Sequence, residues 1–463
     1  MFKNINCKNL PSLRRNIVYQ FLYELLIVFI PLFTIPYVSR VLGAENIGLF
    51  SYTYAVANYF VLFANLGIKN YGSRTIAMVR NNKEELNRNF SEILSIHIIF
   101  SIIVIFVYLV LLFFFVEDNL VIFLIQSIYV FAAVFDINWF FFGIEKFKLT
   151  VGRNTLVKIL SVFLVLVFVK TQTDLWIYAL ILALSVFVGQ SVVWFALKQY
   201  VSWRRPSWAN MKQHIRPLFV LFLPILALSL YKYMDKIMLG SISSNVQVGF
   251  YENAEKIINV PMSLIMAFGV VLMPRIANMV TSKDKGEVFK LIDMSMEAVM
   301  LLAIAISFGL AGISFVLAPI FFGYEFEECG ILIMGLAVTV PFMAFANVIR
   351  TQYLIPYKED KIFVVSLFLG AAVNLIVNII LIPYMAARGA VIGTIFAEII
   401  VCIYQSYFVR KKIFIKKYLL NTIPPILIGI VMFVFVFQIG NVMNINIVTL
   451  ILQLLVGMFI YAV

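Results

Sequence analysis

The chain of 463 residues is 63% hydrophobic and 13% charged, and its formal net charge is +13. So little polar surface excludes a water-soluble globular protein and indicates a protein embedded in lipid. The net charge is mostly explained by Lys and Arg held near one membrane surface and attracted to anionic inner-leaflet lipid, so it does not indicate nucleic-acid binding.

Apolar segments long enough to cross a bilayer recur along the whole chain. A hydrocarbon layer about 30 Å thick takes about 20 residues of helix, because each backbone polar group must be satisfied within its own segment. The sequence therefore predicts an all-α integral membrane protein with fourteen transmembrane helices. The predicted spans are residues 16–38, 46–68, 89–115, 119–143, 152–170, 174–198, 215–240, 247–273, 291–317, 330–354, 361–383, 388–409, 420–438 and 446–463.

The distribution of basic residues predicts the orientation of these spans. Lys and Arg close to span ends are held on the cytoplasmic side. If the N-terminus is inside, most of the 36 Lys and Arg residues fall in inner connections, and the outer loops hold only Arg40, Lys170 and Arg388. We therefore expect an even number of spans with both termini in the cytoplasm.

Two stretches of the chain are versions of one another. Ser39–Gly43, followed by Gly48, reappears as Asp235–Gly240, followed by Gly249. Each copy bridges the first and second of six apolar spans, which predicts two pseudo-symmetric six-helix lobes plus two C-terminal helices. Lobes of this kind occur in transporters that rock around a central site. The predicted domains are residues 1–200 and 217–410 for the lobes, 201–216 for a cytoplasmic linker, and 419–463 for the accessory spans.

Charged side chains inside the spans or close to their ends are the main candidates for function. Each one costs about 2.5–3.5 kcal/mol at the centre of a span, so each needs a reason to be there. The cations that we predict to bind substrate are Arg40, Arg153, Lys158, Lys232, Lys236, Lys256 and Arg350. The acids that we predict to couple ions or form ion pairs are Glu24, Asp136, Asp235, Glu252, Glu255 and Glu398.

Spans seven and eight concentrate these charges. Span seven carries Lys232, Asp235 and Lys236 on one helical face. The next span carries, at a similar depth, Glu252, Glu255 and Lys256. Two interpretations stay open: the groups form an ion-pair lock across the two helices, or the lysines line an aqueous cavity.

Other polar groups within spans also leave two interpretations open. Glu24 and Glu398 are solitary carboxylates in apolar sequence, which either carry protons or sit neutral and hydrogen-bonded to a neighbouring helix. Asn374 and Asn378 are one turn apart and form a polar stripe that binds either sugar or another helix.

The sequence does not favour an enzyme. It has no phosphate-binding loop, no dinucleotide fingerprint and no plausible nucleophile and base pair, so we predict no catalytic residues. Cys7, Cys329 and Cys402 lack the spacing of a metal site, and the two histidines are far apart, so we predict no metal site. The outer loops are too short for a catalytic domain.

Several motifs keep a characteristic order and spacing between about residues 13 and 415. They are Ser39-Arg40-Val41-Leu42-Gly43; Asp136 through Trp139 with Gly143 through Lys148; Asp235-Lys236 through Gly240 with Gly249-Phe250-Tyr251; Met273-Pro274-Arg275-Ile276; and Asn374 and Asn378 through Pro383 with Gly389-Ala390 and Gly393-Thr394. In these motifs the chain resembles the polysaccharide repeat-unit flippases of the Wzx type, in the multidrug/oligosaccharidyl-lipid/polysaccharide exporter superfamily.

The resemblance implies a MATE/MurJ-like fold and a flippase for polyprenyl-pyrophosphate-linked oligosaccharides, serving capsule or O-antigen-type export in the bacterial cytoplasmic membrane. It implies that cavity Arg and Lys residues meet the lipid-linked pyrophosphate. The expected partners are this lipid, membrane lipid, and a polymerase and glycosyltransferases, and we expect a functional monomer. No cofactor is expected beyond a coupling proton or sodium ion, for which Asp136, Glu24 and Glu398 are candidate sites.

Three alternatives remain at this stage. An ion-coupled multidrug or small-molecule antiporter of the same superfamily would have an acidic cavity without clustered cations. A flippase for lipid-linked cell-wall precursors would share the architecture. A membrane-bound transferase or polymerase would need catalytic acids in an outer loop, where only Glu325, Glu327 and Glu328 qualify.

Overall fold

The structure is a computed structural model, and helices make up nearly all of the chain that it describes. It describes the backbone of residues 10–281 and 285–462, and side chains from residue 30 onward except 147–148, 231, 270, 281–285 and 463. Within these ranges the chain forms helices and connections and no strand, so the prediction of an all-α protein is confirmed.

The helices follow one another with short connections. In the first half they are α1 Leu10–Asn65, α2 Ile68–Val79, α3 Lys83–Phe115, α4 Leu120–Val134, α5 Asn138–Gly143, α6 Phe147–Phe168 and α7 Leu175–Leu197. In the second half they are α8 Trp208–Ile242, α9 Asn245–Thr281, α10 Lys285–Phe322, α11 Cys329–Ala337, α12 Thr339–Ile349, α13 Asp360–Val409, α14 Ile415–Asn421, α15 Ile423–Val442 and α16 Ile447–Ala462.

Eleven helical stretches among the described residues are long and apolar enough to cross a membrane, and Ile447–Ala462 is a shorter apolar helix. The protein is therefore a multi-pass membrane protein. Two of the stretches, Ile30–Val79 and Asp360–Val409, have 50 residues each and cover more than one predicted span. The count of fourteen separate spans stays a prediction.

The longest helix in each of these two stretches, α1 and α13, is broken inside. The break in α1 lies at Gly43, with φ 77° and ψ 173°, and the break in α13 lies at Ala386, with φ 47° and ψ −127°. A new helical segment starts after each break, and its first amides need acceptors. The amide of Ala44 donates to Glu325 Oε1 at 2.8 Å, and the amide of Ala387 donates to Gln247 Oε1 at 3.2 Å.

The chain forms two compact units. One unit contains residues 10–42 and Thr53–Ser229, and the other contains Gly43–Tyr52 and residues 230–462. Both α1 and α8 therefore contribute to both units. The short segment Gly43–Tyr52, which contains the last residue of the first repeat motif and the Gly48 that follows it, belongs to the second unit.

In the first unit, α3 holds the connection between α7 and α8. The amide of Ser202 donates to Asn87 Oδ1 at 3.0 Å, and the amide of Arg204 donates to Ser91 Oγ at 2.9 Å. At the next residue of α3, Glu92 Oε2 lies 2.8 Å from His214 Nε2 of α8. These contacts explain why the first turns of α8 belong to this unit.

In the second unit, glycines of the two repeat motifs allow a close crossing of backbones. A Cβ on Gly48 would collide with the carbonyl oxygen of Asn245, and a Cβ on Gly249 would collide with the carbonyl oxygen of Ala44. The segment Gly43–Tyr52 therefore packs against the start of α9 with no side chain between the two backbones.

Candidate functional site

Lysines and glutamates of α8 and α9 form an ion-pair network in the second unit. Lys236 Nζ lies 2.5 Å from Glu252 Oε2 and 2.9 Å from Glu255 Oε2. Lys256 Nζ lies 3.1 Å from Glu252 Oε1. The two helices form the ion pairs that the sequence allowed, and a role of these lysines in binding substrate stays a prediction.

The network has little positive charge to offer to an anion. Two lysines face two glutamates, so its formal charges balance. Lys236 and Glu252 have side chains that are only 10% and 15% exposed, and a buried charge of this kind needs its partner. The geometry therefore favours a structural role for the pairs over a pair of open cations.

Asp235 lies beside this network in a cluster of neutral donors. Its Oδ2 accepts from Tyr251 Oη at 2.6 Å and from Thr394 Oγ1 at 3.0 Å, and its Oδ1 accepts from Asn378 Nδ2 at 2.6 Å. Asn378 Nδ2 also donates to Asn374 Oδ1 at 3.1 Å. We call these five residues the Asp235 cluster.

The Asp235 cluster has a carboxylate without a counter-charge. Asp235 is 5% exposed, and no Lys or Arg nitrogen lies within 4.0 Å of it in the described part of the chain. Asn378 Oδ1 is buried and accepts no hydrogen bond from any described residue. A buried carboxylate whose described hydrogen-bond partners are all neutral is chemically suited to a proton or a monovalent cation.

Sequence reasoning named Asp235 and the two asparagines but missed Tyr251 and Thr394. Both residues occur in the motifs that carry the family resemblance, in Gly249-Phe250-Tyr251 and Gly393-Thr394. Their position in these motifs was the available signal. Their contact with Asp235 depends on the packing of α8, α9 and α13, which local spacing does not reveal.

Arg350 is the predicted cation with the most open donors. Its Nη2 donates to Asn347 Oδ1 at 2.7 Å, and its guanidinium lies 5.4 Å from the centroid of the Phe363 ring. Its other N–H groups have no hydrogen-bond partner among the described residues, and no described carboxylate lies within 4.0 Å. Glu398 is the acid whose charge acts on it from further away.

In the first unit, Arg153 is engaged in local structure. Its Nη1 donates to the carbonyl oxygen of Gly189 at 2.7 Å, its Nη2 donates to Asn138 Oδ1 at 3.2 Å, and it also bonds Asn154. Asp136 Oδ1 accepts from the amide of Asn138 at 3.0 Å and thereby caps the start of α5. Both residues therefore have a structural use.

The remaining predicted cations differ in exposure and surroundings. Lys158 is half-buried in α6, and its ammonium forms no ion pair with any described residue. Lys232 is exposed and lies over the ring of the adjacent Tyr233, 5.4 Å from its centroid. Arg40 is exposed just before the break in α1. The side chain of Glu24 lies outside the described residues.

Two buried histidines of the first unit differ in their surroundings. His214 connects Glu92 to Tyr71, whose Oη lies 2.6 Å from His214 Nδ1. His97 is fully buried, and neither of its ring nitrogens has a partner among the described residues. Sequence reasoning did not name Glu92, because its contact with His214 joins positions 122 residues apart. No group of three or more potential metal ligands occurs in the described part of the chain.

Two of the acids that we predicted to lie in an outer loop have structural contacts. Glu325 caps the amide of Ala44. Glu328 receives two hydrogen bonds from Arg388 Nη2, at 3.1 and 3.2 Å. These contacts give no arrangement of nucleophile and base.

The long apolar helices, broken inside α1 and α13, define a polytopic all-helical membrane protein. The fold is similar to that of a solved structure, "Lipid II flippase MurJ, inward closed conformation", with a TM-score of 0.74, 16% identity, and coverage of 96% of this chain and 97% of that one. The chain belongs to the family described as "Polysaccharide biosynthesis protein", which matches residues 13–280. The predicted family resemblance is confirmed.

Two relatives are similar over most of their length, and both are named "Putative O-antigen transporter". The protein from Shigella dysenteriae is 24% identical over 408 residues, which cover 85% of this chain and 99% of the relative. The protein from Escherichia coli strain K12 is 26% identical over 411 residues, which cover 87% of this chain and 98% of the relative.

Proposed function

We propose that the protein is a flippase that moves polyprenyl-pyrophosphate-linked oligosaccharide repeat units from the inner to the outer leaflet of the bacterial cytoplasmic membrane. The observation that carries the proposal is the half-buried Arg350, which has no carboxylate partner and keeps guanidinium donors open. Such a group matches an anionic diphosphate. The similarity to two O-antigen transporters over most of the chain supports the same substrate class.

The head group of this lipid needs a protein to cross the membrane. Several sugars and two phosphates cannot cross hydrocarbon unaided, because each unsatisfied polar group costs several kcal/mol there. The prenyl tail can remain in lipid while the head is shielded by protein. Moving about two negative charges out of an electrically negative interior releases roughly 2.3 kcal/mol per charge per 100 mV, so the membrane potential favours export.

The proposed transport cycle is alternating access, and the proposed setting is the assembly of a bacterial surface polysaccharide. The protein works by alternating access as a monomer, with both termini in the cytoplasm. Its product feeds a capsule or O-antigen-type polymer, through a polymerase that follows it and glycosyltransferases that precede it. Similarity to O-antigen transporters supports the export of a polysaccharide precursor.

The proposal includes an ion that resets the cycle, bound at the Asp235 cluster. Among the predicted acids, Asp136 caps α5, and Glu252 and Glu255 pair with Lys236. Asp235 has neutral partners only, so a proton or sodium ion there would neutralise a buried charge. Glu398, near Arg350, and Glu24 are the remaining candidates.

The test is transport by purified protein in vesicles. A polyprenyl-pyrophosphate oligosaccharide with a fluorescent head group is placed in the vesicles, and a membrane-impermeant quencher reports which leaflet it occupies. Wild-type protein is expected to move this lipid, and Arg350→Ala is expected to slow it at least tenfold, the effect of one lost charge-assisted hydrogen bond. Transport of a cationic dye instead would indicate a multidrug antiporter, and preference for a lipid-linked cell-wall precursor would indicate the other flippase class.

A further inference from the structure

Arg350 lies on an unusual turn of helix. The α-helix α12 ends at Ile349, and Arg350–Leu354 form a π-helical turn, in which the amide of Ile355 donates to the carbonyl oxygen of Arg350 at 3.0 Å. Such a turn inserts one extra residue, re-aims the side chains that follow, and is frequent at functional sites. Arg350 is the first residue of this turn and so stands where the chain departs from the regular spacing of α12.

The side-chain oxygen of Asn347 is hydrogen-bonded to Arg350, but its side-chain nitrogen is not hydrogen-bonded to any described residue. Its Oδ1 accepts from Arg350 Nη2 at 2.7 Å, while its Nδ2 is buried and has no hydrogen-bond partner among the described residues. A Cβ on Gly269 of α9 would lie 3.1 Å from this Nδ2, so the nitrogen faces backbone at a glycine. A buried donor without a partner costs free energy. We infer that the hydrogen bond from Arg350 to the Asn347 oxygen offsets this cost.

Phe363 of α13 holds the guanidinium from another side. The guanidinium carbon lies 5.4 Å from the ring centroid, within the range of a cation–π contact. Neither Asn347 nor Phe363 carries a charge, so neither neutralises Arg350. This differs from Lys236, whose ammonium lies between two carboxylates. The two neutral contacts fix the direction of the guanidinium and leave its remaining donors open.

We propose that Asn347 and Phe363 are positioning residues that hold the Arg350 guanidinium ready for the oxygens of a diphosphate. This inference rests on the proposed function and adds the residues that act through Arg350. The ligand chemistry is a diphosphate group, on a polyprenyl carrier or as free pyrophosphate. Held in advance, the side chain loses less conformational entropy when the ligand arrives, so affinity rises without a new contact.

The test measures binding to purified full-length protein in lipid nanodiscs. The probes are farnesyl pyrophosphate, inorganic pyrophosphate and farnesol. Wild type is expected to bind farnesyl pyrophosphate at least tenfold more tightly than farnesol, because farnesol has no charged group for Arg350. Asn347→Leu and Phe363→Leu are each expected to raise the Kd for farnesyl pyrophosphate about tenfold and to leave the Kd for farnesol unchanged. Phe368→Leu, on the same helix, is the matched control and is expected to bind like wild type.

A double variant separates positioning from a direct or general effect. If Asn347 acts through Arg350, the variant Asn347→Leu/Arg350→Ala binds farnesyl pyrophosphate no more weakly than Arg350→Ala alone, within about twofold. Fully additive losses would overturn the inference. An unchanged Kd in Asn347→Leu, with an unchanged melting temperature, would overturn it as well.

The outcomes distinguish this inference from the proposed function. Wild type that binds farnesyl pyrophosphate no better than farnesol would contradict the proposed function and, with it, the inference. Wild type that discriminates between the two, with additive losses in the double variant, would overturn the inference alone. Equal effects of the variants on inorganic pyrophosphate and on farnesyl pyrophosphate would assign the site to any diphosphate, and an effect on the lipid alone would assign it to the carrier; both support positioning.

Discussion

Lys236 and Glu252 lie 2.5 Å apart across α8 and α9, and both side chains are nearly buried. Since Glu252 also pairs with Lys256, one carboxylate serves two lysines. We therefore predict that Glu252→Gln lowers the free energy of unfolding by about 3 kcal/mol, because it leaves buried positive charge with too few partners. Thermal unfolding of the solubilised protein measures this.

The matched control for that prediction is Glu84→Gln, which breaks the exposed pair between Arg204 and Glu84. Exposed pairs contribute little, so its melting temperature should stay at the wild-type value. Equal melting temperatures for both variants would show that the pairs of Glu252 are as weak as surface ones.

If the Asp235 cluster binds the coupling ion, transport by a variant without the Asp235 charge should no longer depend on an ion gradient. Asp235→Asn keeps the shape and much of the hydrogen bonding but removes the negative charge, so a bound cation loses its main attraction. We expect vesicle transport by this variant to be slower and no longer stimulated by a sodium or proton gradient. Leu228→Ala, at an exposed position on the same helix, should keep the stimulation. If Asp235→Asn responds to both gradients like wild type, the coupling ion does not bind at Asp235.

The crossing at Gly48 and Gly249 predicts an uneven effect of alanine substitutions. Gly48→Ala and Gly249→Ala place a methyl group against backbone carbonyl oxygens, which cannot move aside, and should destabilise by about 1–3 kcal/mol or prevent folding. Gly152→Ala, in α6, meets nothing within 4 Å and should raise stability by about 0.5–1 kcal/mol. Expression level and melting temperature report both effects, and a neutral Gly48→Ala would contradict the close crossing.

Because Glu325 accepts a hydrogen bond from the Ala44 amide, we predict that Glu325 stabilises the fold. Glu325→Ala removes the acceptor at the start of a helical segment and should cost about 1 kcal/mol of stability, whereas Glu327→Ala, for which the structure shows no side-chain hydrogen bond or ion pair, should cost none. Loss of transport of the fluorescent lipid in Glu327→Ala, with the melting temperature unchanged, would contradict this structural role of the loop and favour an enzymatic one.

The sequence was sufficient for the features that depend on composition and local period. Long apolar runs specified an all-helical membrane protein, and the spacing of Lys236 with Glu252 and Glu255 made ion pairs across α8 and α9 possible. The motifs with Asn374, Asn378 and Thr394 indicated the family. Each of these signals lies within one helix or in the order of helices along the chain.

The sequence was insufficient where a residue's chemistry depends on distant partners. Arg153 and Arg350 are the same residue type in similar apolar surroundings, yet Arg153 is engaged by Gly189 and Asn138 while Arg350 keeps open donors. The difference comes from which carbonyl and amide groups the neighbouring helices present. The Glu92–His214 contact was missed for the same reason.

The two helix breaks differ in how freely their backbones can turn. Gly43 has no Cβ, so its positive φ costs little. Ala386 carries a Cβ at a positive φ that alanine rarely adopts, so the surrounding structure has to hold this break in place. The unstrained break occurs in a helix that is divided between the two units, and the strained one occurs in a helix that lies wholly in one. Replacing Ala386 with glycine would therefore relieve the strain and give α13 the backbone freedom that α1 has at Gly43.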